Sequence, residues 1–509
     1  MEKEKKFMII GVFILLITLV GAAGTYAWFT WSSTNNTNLT MSIGASSDVI
    51  FKNGNDISTN KLAPVFNYTD GEKTSFTIIN KSTTNFKYKV LLNITSIADE
   101  LKNSALKYKL ISNNTIITEG NFKNIESINN LYEGELSKGN VSYTFYLYID
   151  GNEENNLNMM GKTINGNINI IENVTFSEYI TNLYTFSSKQ QVANNNIIYN
   201  YAASVGLMND RLGSNDIDID NGNIRYYGIE PNNYIYFNCD NYANQTSDTC
   251  EVWRIIGVFN DKVKIIRNQN IGTFSYDNKN ISSGAETESG KNDWGTARLM
   301  KLLNPSDYYE IDTNDNEIGQ SLYWNSQSGT CFAGQNNATK TCDFTNIGIK
   351  NDMTRNMIME NIYTIKGYNY SNIYVDEIYD KEVNNGIVYG ERLTEWVGKV
   401  ALPYPSDYGY AVDLSICKNS LKKYESSECI NNNWMVNIIT NDKSNWGWLI
   451  TPYSASSNSA WYVNMTGYVN NNSFNVYYSL AVTPVVYLDS KLSKSFGKGT
   501  SSSPYQLSI

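Results

Sequence analysis

The sequence predicts a multidomain protein in which an all-β sandwich is followed by an α+β domain closed by disulfide bonds. The chain has 509 residues, which is enough for at least two domains. Residues 31–175 contain short runs of alternating apolar and polar residues, separated by Gly, Asn and Asp clusters at the spacing typical of a sandwich. All 6 cysteines lie between residues 239 and 429, in three pairs around polar loops.

Residues 1–29 are predicted to be a signal peptide or an N-terminal membrane anchor. MEKEKK is followed by an apolar segment of about 20 residues, long enough to span a bilayer. The segment ends in GAAGTYA, whose small residues suit a signal peptidase. Lys3, Lys5 and Lys6 place the N-terminus in the cytoplasm. Either interpretation predicts export of the remaining chain, and an uncleaved segment would make the membrane a partner.

Residues 31–175 are predicted to form the β-sandwich domain. Phe145, Leu147 and Ile149 alternate with Tyr146 and Tyr148, the pattern of a strand with one buried face. The predicted strands are Met41–Ile43, Ser75–Ile79, Phe86–Ile94, Lys107–Ile111, Tyr143–Ile149 and Gly166–Ile171.

Residues 176–222 are predicted to be a connector with a short helix over Ser177–Gln191. Asp216, Asp218 and Asp220 in NDIDIDNGN have the D-x-D-x-D-x-G spacing that begins a calcium loop, so calcium is the one cofactor that the sequence suggests. No glutamate follows Gly222 at the position that would complete an EF-hand. An alternating strand with its acidic face in solvent is the other interpretation.

Residues 223–509 are predicted to form the disulfide-closed domain. Its first segment reads as two strands around a polar loop between cysteines, and two similar loops follow. Six cysteines allow fifteen connectivities, of which the local one is the most economical. Each closed loop would contribute about 2–3 kcal/mol. Zinc sites need the shorter C-x2-4-C spacing, so disulfides are favoured. The expected pairs are Cys239 with Cys250, Cys331 with Cys342, and Cys417 with Cys429.

Two helices are predicted in this domain. Trp294–Leu303 has leucines at helical spacing and precedes Pro305. Asp352–Lys366 has methionines at helical spacing and ends before Gly367.

Composition excludes several classes of function. The net charge is −10 and no basic stripe is present beyond the N-terminus, which argues against nucleic acid as a partner. The chain has no histidine, so histidine-based nucleophile systems and His-ligated zinc are excluded. Composition does not exclude hydrolysis by a pair of carboxylates, for which Asp293, Glu395 and Asp407 are candidates.

The first half resembles the TasA/camelysin family of biofilm-fibre proteins. Gly24–Thr30 is similar to the end of that family's export signal, and Tyr143–Ile171 is similar to its last hairpin. The resemblance implies a jelly-roll or immunoglobulin-like sandwich with a structural or spacer role, and self-association by strand addition. Some members are metallopeptidases, an activity that a chain without histidine does not inherit.

The second half resembles an uncharacterised domain of exported bacterial surface proteins. Five motifs recur in order, at Asn223–Tyr234, Trp253–Val258, Leu303–Tyr309, Trp448–Pro452 and Gly497–Tyr505. The order Trp, Gly and then Pro-Val-Val in the aromatic C-terminal part is also similar to C-type-lectin-like and formylglycine-generating-enzyme-like folds. The enzyme branch needs reactive cysteines, whereas those here are expected in disulfides. The lectin branch implies a binding face on the loops, sometimes with calcium.

The predicted ligand-binding residues lie in and before the Asn-, Tyr- and Ser-rich tract Asn464–Tyr478, which suits a glycan or a protein ligand. A polar hairpin turn is the alternative interpretation. These residues are Trp461, Tyr462, Asn464, Tyr468, Asn470, Asn472, Asn475 and Tyr477.

The leading functional hypothesis is a non-enzymatic adhesin at the cell surface, with a lectin-like head on a sandwich stalk. The second is a structural subunit of an extracellular matrix or fibre. The third is a carboxylate-dependent hydrolase of cell wall or glycan.

Overall fold

The computed structural model describes residues 39–43, 46–52, 64–80, 86–153, 159, 162, 164–210, 222–311, 318–370, 372–470 and 474–508. The chain divides into two compact units, with the boundary between Val174 and Thr175. The protein is mostly β-sheet, as the sequence predicts. The predicted signal or anchor segment, residues 1–29, lies outside the described residues. Among the described residues, no helix has the length and hydropathy needed to cross a membrane.

The first unit contains two sheets whose strand pairs are mostly antiparallel. One has the strand order β1-β2-β4-β9-β6-β7, with β3 added in parallel to β9, and the other has the order β10-β5-β8. All six predicted strands are present, within longer bounds. The strands are β1 (Leu39–Ile43), β2 (Ser46–Lys52), β3 (Pro64–Val65), β4 (Glu72–Asn80), β5 (Phe86–Ile97), β6 (Leu106–Ser112), β7 (Thr115–Asn121), β8 (Ile128–Leu136), β9 (Gly139–Asp150) and β10 (Ile164–Glu172).

The core of the first unit follows from the alternation along β9. Phe145, Leu147 and Ile149 are fully buried, whereas Tyr146 is partly exposed. Aliphatic and aromatic side chains of β4, β5, β6 and β10 complete the same hydrophobic cluster. The hydroxyls of Tyr88 and Tyr143 lie 2.6 Å apart inside it, so each buried hydroxyl has a hydrogen-bond partner.

Pairs of Asn and Asp residues form the tight turns of several hairpins. Asn113 and Asn114 join β6 to β7 with φ of 49° and 61°, and Asn195 and Asn196 repeat this conformation at 47° and 64°. Two consecutive left-handed residues define the hairpin turn that matches the twist of the flanking strands, and asparagine tolerates it well. Part of the high asparagine content is therefore explained by turn geometry.

The largest sheet of the second unit has the order β11-β12-β13-β14-β16-β17-β28-β23, with β15 also paired to β16. A five-stranded sheet has the order β18-β27-β24-β25-β26, and three two-stranded ladders complete the β structure. The strands are β11 (Gln190–Asn194), β12 (Ile197–Ala202), β13 (Leu207–Asn209), β14 (Ile224–Tyr226), β15 (Tyr234–Phe237), β16 (Glu251–Phe259), β17 (Lys262–Arg267), β18 (Thr273–Ser275), β19 (Ser328–Phe332), β20 (Thr339–Asp343), β21 (Asn361–Thr364), β22 (Glu395–Gly398), β23 (Val400–Ala401), β24 (Gly447–Pro452), β25 (Ala460–Val463), β26 (Val469–Asn470), β27 (Ser479–Ala481), β28 (Val485–Tyr487), β29 (Ser493–Phe496) and β30 (Gln506–Ser508).

Residues 176–222, predicted as a connector, are largely part of the second unit. A helix, α1 (Phe176–Phe186), starts at a capping box in which the Thr175 hydroxyl accepts from the Glu178 N–H and the Glu178 carboxylate accepts from the Thr175 N–H. The strands β11, β12 and β13 then extend the large sheet as far as β14. The structure differs from the predicted connector because strands of three to six residues have a weak sequence signal until their partners are known.

The other helices are short. The predicted helix Asp352–Lys366 is wrong beyond its first turns. It starts at the cap Asn351, whose side chain accepts from the Thr354 N–H, and it ends at Met357. The β-branched and aromatic residues that follow form strand β21 instead, against β22. The predicted helix 294–303 is split into a 3-10 turn and a helix. These helices are α2 (Arg298–Leu303), α3 (Asp352–Met357), α4 (Val375–Asp380), α5 (Pro405–Tyr410), α6 (Ser427–Ile430) and α7 (Val436–Thr440).

The three local disulfides are confirmed. Each closes a loop with a sequence separation of 11 or 12 residues, and the described residues contain no free cysteine. The bonds join Cys239 to Cys250, Cys331 to Cys342, and Cys417 to Cys429.

Candidate functional site

The predicted calcium ligands Asp216, Asp218 and Asp220 lie outside the described residues, so calcium stays a prediction. Within the described ranges, no group of three or more histidine, cysteine, aspartate and glutamate side chains is placed to hold a metal ion.

The predicted ligand-binding set begins in the core. Trp461 and Tyr462 lie in β25 and are 0% and 1% exposed. The Tyr462 ring stacks on Trp446 at 5.6 Å between centroids and meets Phe474 at 5.1 Å. β25 is flanked by β24 and β26, which covers both of its edges. Trp461 and Tyr462 are therefore core residues in this structure, and their role as ligand-binding residues stays a prediction.

Two of the predicted asparagines are also buried. Asn464 is 6% exposed and Asn470 is 8% exposed. The Asn464 side-chain oxygen accepts from the backbone N–H groups of Thr466, at 2.9 Å, and Tyr468, at 3.1 Å. Asn470 lies in β26, opposite Tyr462. These residues stabilise the hairpin, as the polar-turn interpretation expects.

Four predicted ligand-binding residues remain. Tyr468, Asn475 and Tyr477 are partly exposed, and Asn472 lies outside the described residues. The ring of Tyr477 packs against that of Tyr478, 4.4 Å away. Ligand binding by these side chains stays a prediction.

Four charged side chains form a buried cluster, namely Asp210, Arg225, Lys264 and Asp407. Arg225 donates from Nε to Asp210, at 2.7 Å, and from Nη1 to Asp407, at 3.1 Å. Lys264 Nζ lies 2.5 Å from the other Asp407 oxygen. None of these side chains is more than 2% exposed. Two cations balance two anions, so the cluster compensates its own charge.

Glu382 lies beside this cluster. Its carboxyl accepts from the Ser406 N–H at 3.0 Å and also contacts the Ser406 hydroxyl. Burial raises the pKa of Glu382 to about 8, and the negative charge of Asp407 adds to the rise. A cleft of about 510 Å³ borders the cluster and is lined in part by Tyr379 and Tyr404.

The carboxylates considered for hydrolysis have different surroundings. Both oxygens of Asp407 are used by Arg225 and Lys264. Asp293 is 8% exposed, with Lys291 3.1 Å away, and Glu395 is exposed at the start of β22. Asp407 thus has a structural role in the buried cluster.

A second cleft, which we call the amide cleft, has a volume of about 600 Å³ and combines an arginine, two aromatic rings and many side-chain amides. Arg254 lies in β16 directly opposite Tyr234 of β15, and Trp434 precedes helix α7. Its lining residues are Ile229, Glu230, Tyr234, Arg254, Asn268, Gln269, Asn270, Ile430, Asn431, Asn433, Trp434, Val436, Asn437, Ile438, Asn441, Asp442 and Lys443.

Arg254 is the most buried charged residue of the amide cleft, at 4% exposure. Its guanidinium carbon lies 3.6 Å from the Tyr234 ring centroid and 5.0 Å from that of Trp434. Nε donates to the Asn233 side-chain oxygen at 2.5 Å, whereas Nη2 has no hydrogen-bond partner among the described residues. Burial lowers the pKa of Arg254 to about 10, because the charge is poorly compensated.

Side-chain amides form much of the rest of the cleft. Gln269, Asn431, Asn437 and Asn441 are exposed. Asn441 ends helix α7 in the left-handed conformation, and its side-chain oxygen accepts from Asn270 at 2.7 Å. Amides both donate and accept hydrogen bonds, and aromatic rings supply apolar faces. This combination suits a ligand rich in hydroxyl groups.

Sequence reasoning missed this site. Arg254 lies in the motif Trp253–Val258, whose pattern indicates a strand and a family resemblance but no ligand, and the amide-rich tract around Trp434 matches no recognised motif. An arginine in an otherwise apolar strand is the signal that points to it, since a buried charge needs a partner.

Comparison of the chain with protein-family models, with curated proteins and with solved structures finds no match in any of the three. The two family resemblances drawn from the motifs stay predictions.

Proposed function

We propose that the protein is an exported cell-surface binding protein of the adhesin type, whose second unit binds a glycan in the amide cleft. The first unit is a sandwich that serves as a stalk, and the second is a lectin-like head. The observation that carries the proposal is a cleft bordered by the partly exposed Tyr234, by Arg254 and by exposed amides, with the buried Trp434 packed near Arg254. Aromatic faces bind the apolar faces of sugars, and amides bind their hydroxyls.

The three disulfides support export, because such bonds persist in oxidising compartments. The predicted signal or anchor at residues 1–29 agrees with this location. The proposal therefore places the protein at the bacterial cell surface or outside the cell.

A glycan array with the oxidised full chain tests the proposal. Asn437 is exposed on α7 at the cleft, so Asn437→Trp should block binding without disturbing the core. Asn384 is exposed and is absent from the lining of this cleft, so Asn384→Trp is the matched control. We expect selective binding that Asn437→Trp reduces at least about tenfold and the control retains. No binding to any glycan by protein with three intact disulfides would overturn the proposal.

A fibre subunit is the second candidate, because one edge of the first unit is open in the described residues. Strand β7 ends the strand order of its sheet, and Ile116 on it is 44% exposed. Exposed edges of this kind can add a strand from another chain. Electron microscopy of the full chain tests it, since filaments that Ile116→Lys abolishes would favour this function.

A further inference from the structure

The arginines of the large sheet of the second unit differ in how their charge is compensated. Arg225 on β14 has two carboxylate partners, and Arg267 on β17 has Glu251 at 2.8 Å. Arg254 on β16 is as buried as these two, but no carboxylate of the described residues lies within ion-pair distance of it. A buried guanidinium with unused hydrogen-bonding capacity beside a cleft is costly unless an anion binds there.

Part of the hydrogen-bonding capacity of Arg254 is unused among the described residues. The Tyr234 ring lies 3.6 Å from the guanidinium carbon, which covers a face of the planar group. Nε is occupied by Asn233, and Nη2 is buried and unpaired among the described residues, so a ligand reaches it only by entering the cleft beside Tyr234 and Trp434. The outer N–H groups of a guanidinium form a fork that matches the two oxygens of a carboxylate.

The other charges of the cleft limit the charge of the ligand. Glu230 and Asp442 carry negative charge at the rim, and Lys443 carries positive charge. Glu230 is held by the Tyr234 hydroxyl. With Arg254, the cleft carries two cations and two anions, so it has no excess positive charge to hold a phosphate dianion, which the rim carboxylates would repel. A single negative charge is enough to pair with Arg254, which has no carboxylate partner among the described residues.

We infer that the ligand is an acidic sugar whose carboxylate binds the outer N–H groups of Arg254. The exposed amides of Gln269, Asn437 and Asn441 surround the same cleft and suit the sugar hydroxyls. The inference rests on the proposed glycan-binding function and names the class of its ligand. Neutral glycans would lack the group that compensates Arg254, and phosphorylated ones would carry too much charge.

The test uses ligand pairs that differ in one group. The oxidised full chain is titrated with a glucuronate-terminated oligosaccharide, its glucose-terminated counterpart and its glucose-6-phosphate-terminated counterpart. We expect the glucuronate form to bind at least about tenfold more tightly than the glucose form, as a charge-assisted hydrogen-bond pair should give. Array binding to sialate-terminated glycans, lost after carboxyl reduction, would also support the inference.

Variants of Arg254 test whether this residue causes the preference for glucuronate over glucose. Arg254→Gln should reduce the preference for glucuronate over glucose to about onefold, whereas Arg254→Lys, which keeps the charge without the fork, should retain part of it. Formation of the three disulfides and an unchanged circular dichroism spectrum control for folding. If Arg254→Gln does not fold, the Arg254→Lys ratio and the wild-type ratio still decide the question.

Two outcomes separate the inference from the function on which it rests. Binding of neutral glycans with equal affinity, or a preference for the phosphorylated form, overturns the carboxylate ligand and leaves the glycan-binding function standing. No binding of any glycan overturns both.

Discussion

Arg225 and Asp407 form an ion pair at 3.1 Å in the interior of the second unit, and their side chains are 2% and 1% exposed. One comes from strand β14 and the other from helix α5, so the pair joins distant parts of the sequence. Asp407 also accepts from Lys264 and from the Tyr404 N–H. A single carboxylate thus pairs with two cations and caps a helix.

Removing the charge of Asp407 should destabilise the protein strongly. Asp407→Asn leaves Lys264 without a carboxylate partner and Arg225 with Asp210 alone, and breaking a buried pair costs about 3–5 kcal/mol. Asp352→Asn is the control, since Asp352 pairs with Arg355 while 90% exposed and should change stability by about 0–1 kcal/mol. Urea unfolding measures both variants. Equal, small changes would show that the cluster does not stabilise the fold.

The stability of the second unit should fall as the pH rises through the range set by Glu382. Burial raises the pKa of Glu382 from 4.5 to about 8, so the folded state binds this proton where the unfolded state has released it. The stabilisation is complete below about pH 4.5 and is lost as the pH rises to about 8. Asp407 opposes ionisation of Glu382 and Arg225 favours it, and both are included in this shift.

Glu382→Gln tests this pH dependence. A glutamine amide keeps an oxygen for the Ser406 N–H and gives a donor to the Ser406 hydroxyl. Wild type should lose stability relative to Glu382→Gln between pH 5 and pH 8, measured by urea unfolding at each pH. Glu395→Gln, at an exposed position, is the control. Parallel stability curves for wild type and Glu382→Gln would contradict the prediction.

Asn292 should be intolerant of an isosteric change to aspartate. Its side-chain amide donates towards the carbonyl oxygens of Tyr453, Ser456 and Ser459, at 2.5–3.0 Å, and Asn292 is fully buried. Asn292→Asp places a carboxylate against these oxygens and should cost several kcal/mol, roughly the penalty of an unpaired buried charge.

A second asparagine provides the matched control for Asn292→Asp. Asn241 is exposed, and its side-chain oxygen accepts from the Ala243 N–H, a contact that Asn241→Asp keeps. Thermal unfolding should show a much lower melting temperature for Asn292→Asp alone. Similar melting temperatures for the two variants would show that the three carbonyl contacts contribute little.

The disulfides should be reduced in an order set by their exposure. Cys342 is partly exposed, whereas Cys239, Cys417 and Cys429 are fully buried. Thiolate attack needs access to a sulfur, so the bond from Cys331 to Cys342 should open first in dilute reductant. Differential alkylation and mass spectrometry follow the order. Simultaneous release of all three bonds would point instead to global unfolding as the limiting step.

Local patterns predicted much of the fold. The strand pattern around Phe145 and the spacing of the cysteine pairs both depend on near neighbours, and both predictions agree with the structure. Helix α3 ends early because the residues after Met357 pair with β22, a partner that lies outside any local window. The burial of Trp461 likewise depends on β24 and β26.

The candidate site was less predictable than the fold. The amide cleft forms where Arg254 of one strand meets Trp434, which is distant in sequence. Nothing near Arg254 in the chain indicates that Trp434 packs on it, or that none of the described carboxylates does. Composition gives the residue types of a binding surface, and only the folded chain brings them together.

Strands β11–β13 belong to the large sheet, so a transferable domain has to include them. A gene fusion that carried only residues 223–509 would leave β14 without the neighbour to which it hydrogen-bonds. It would also leave behind Asp210, the partner of Arg225. Recombination that preserves a working domain must therefore take the coding sequence from Thr175 onward, so exchange between proteins should respect that boundary.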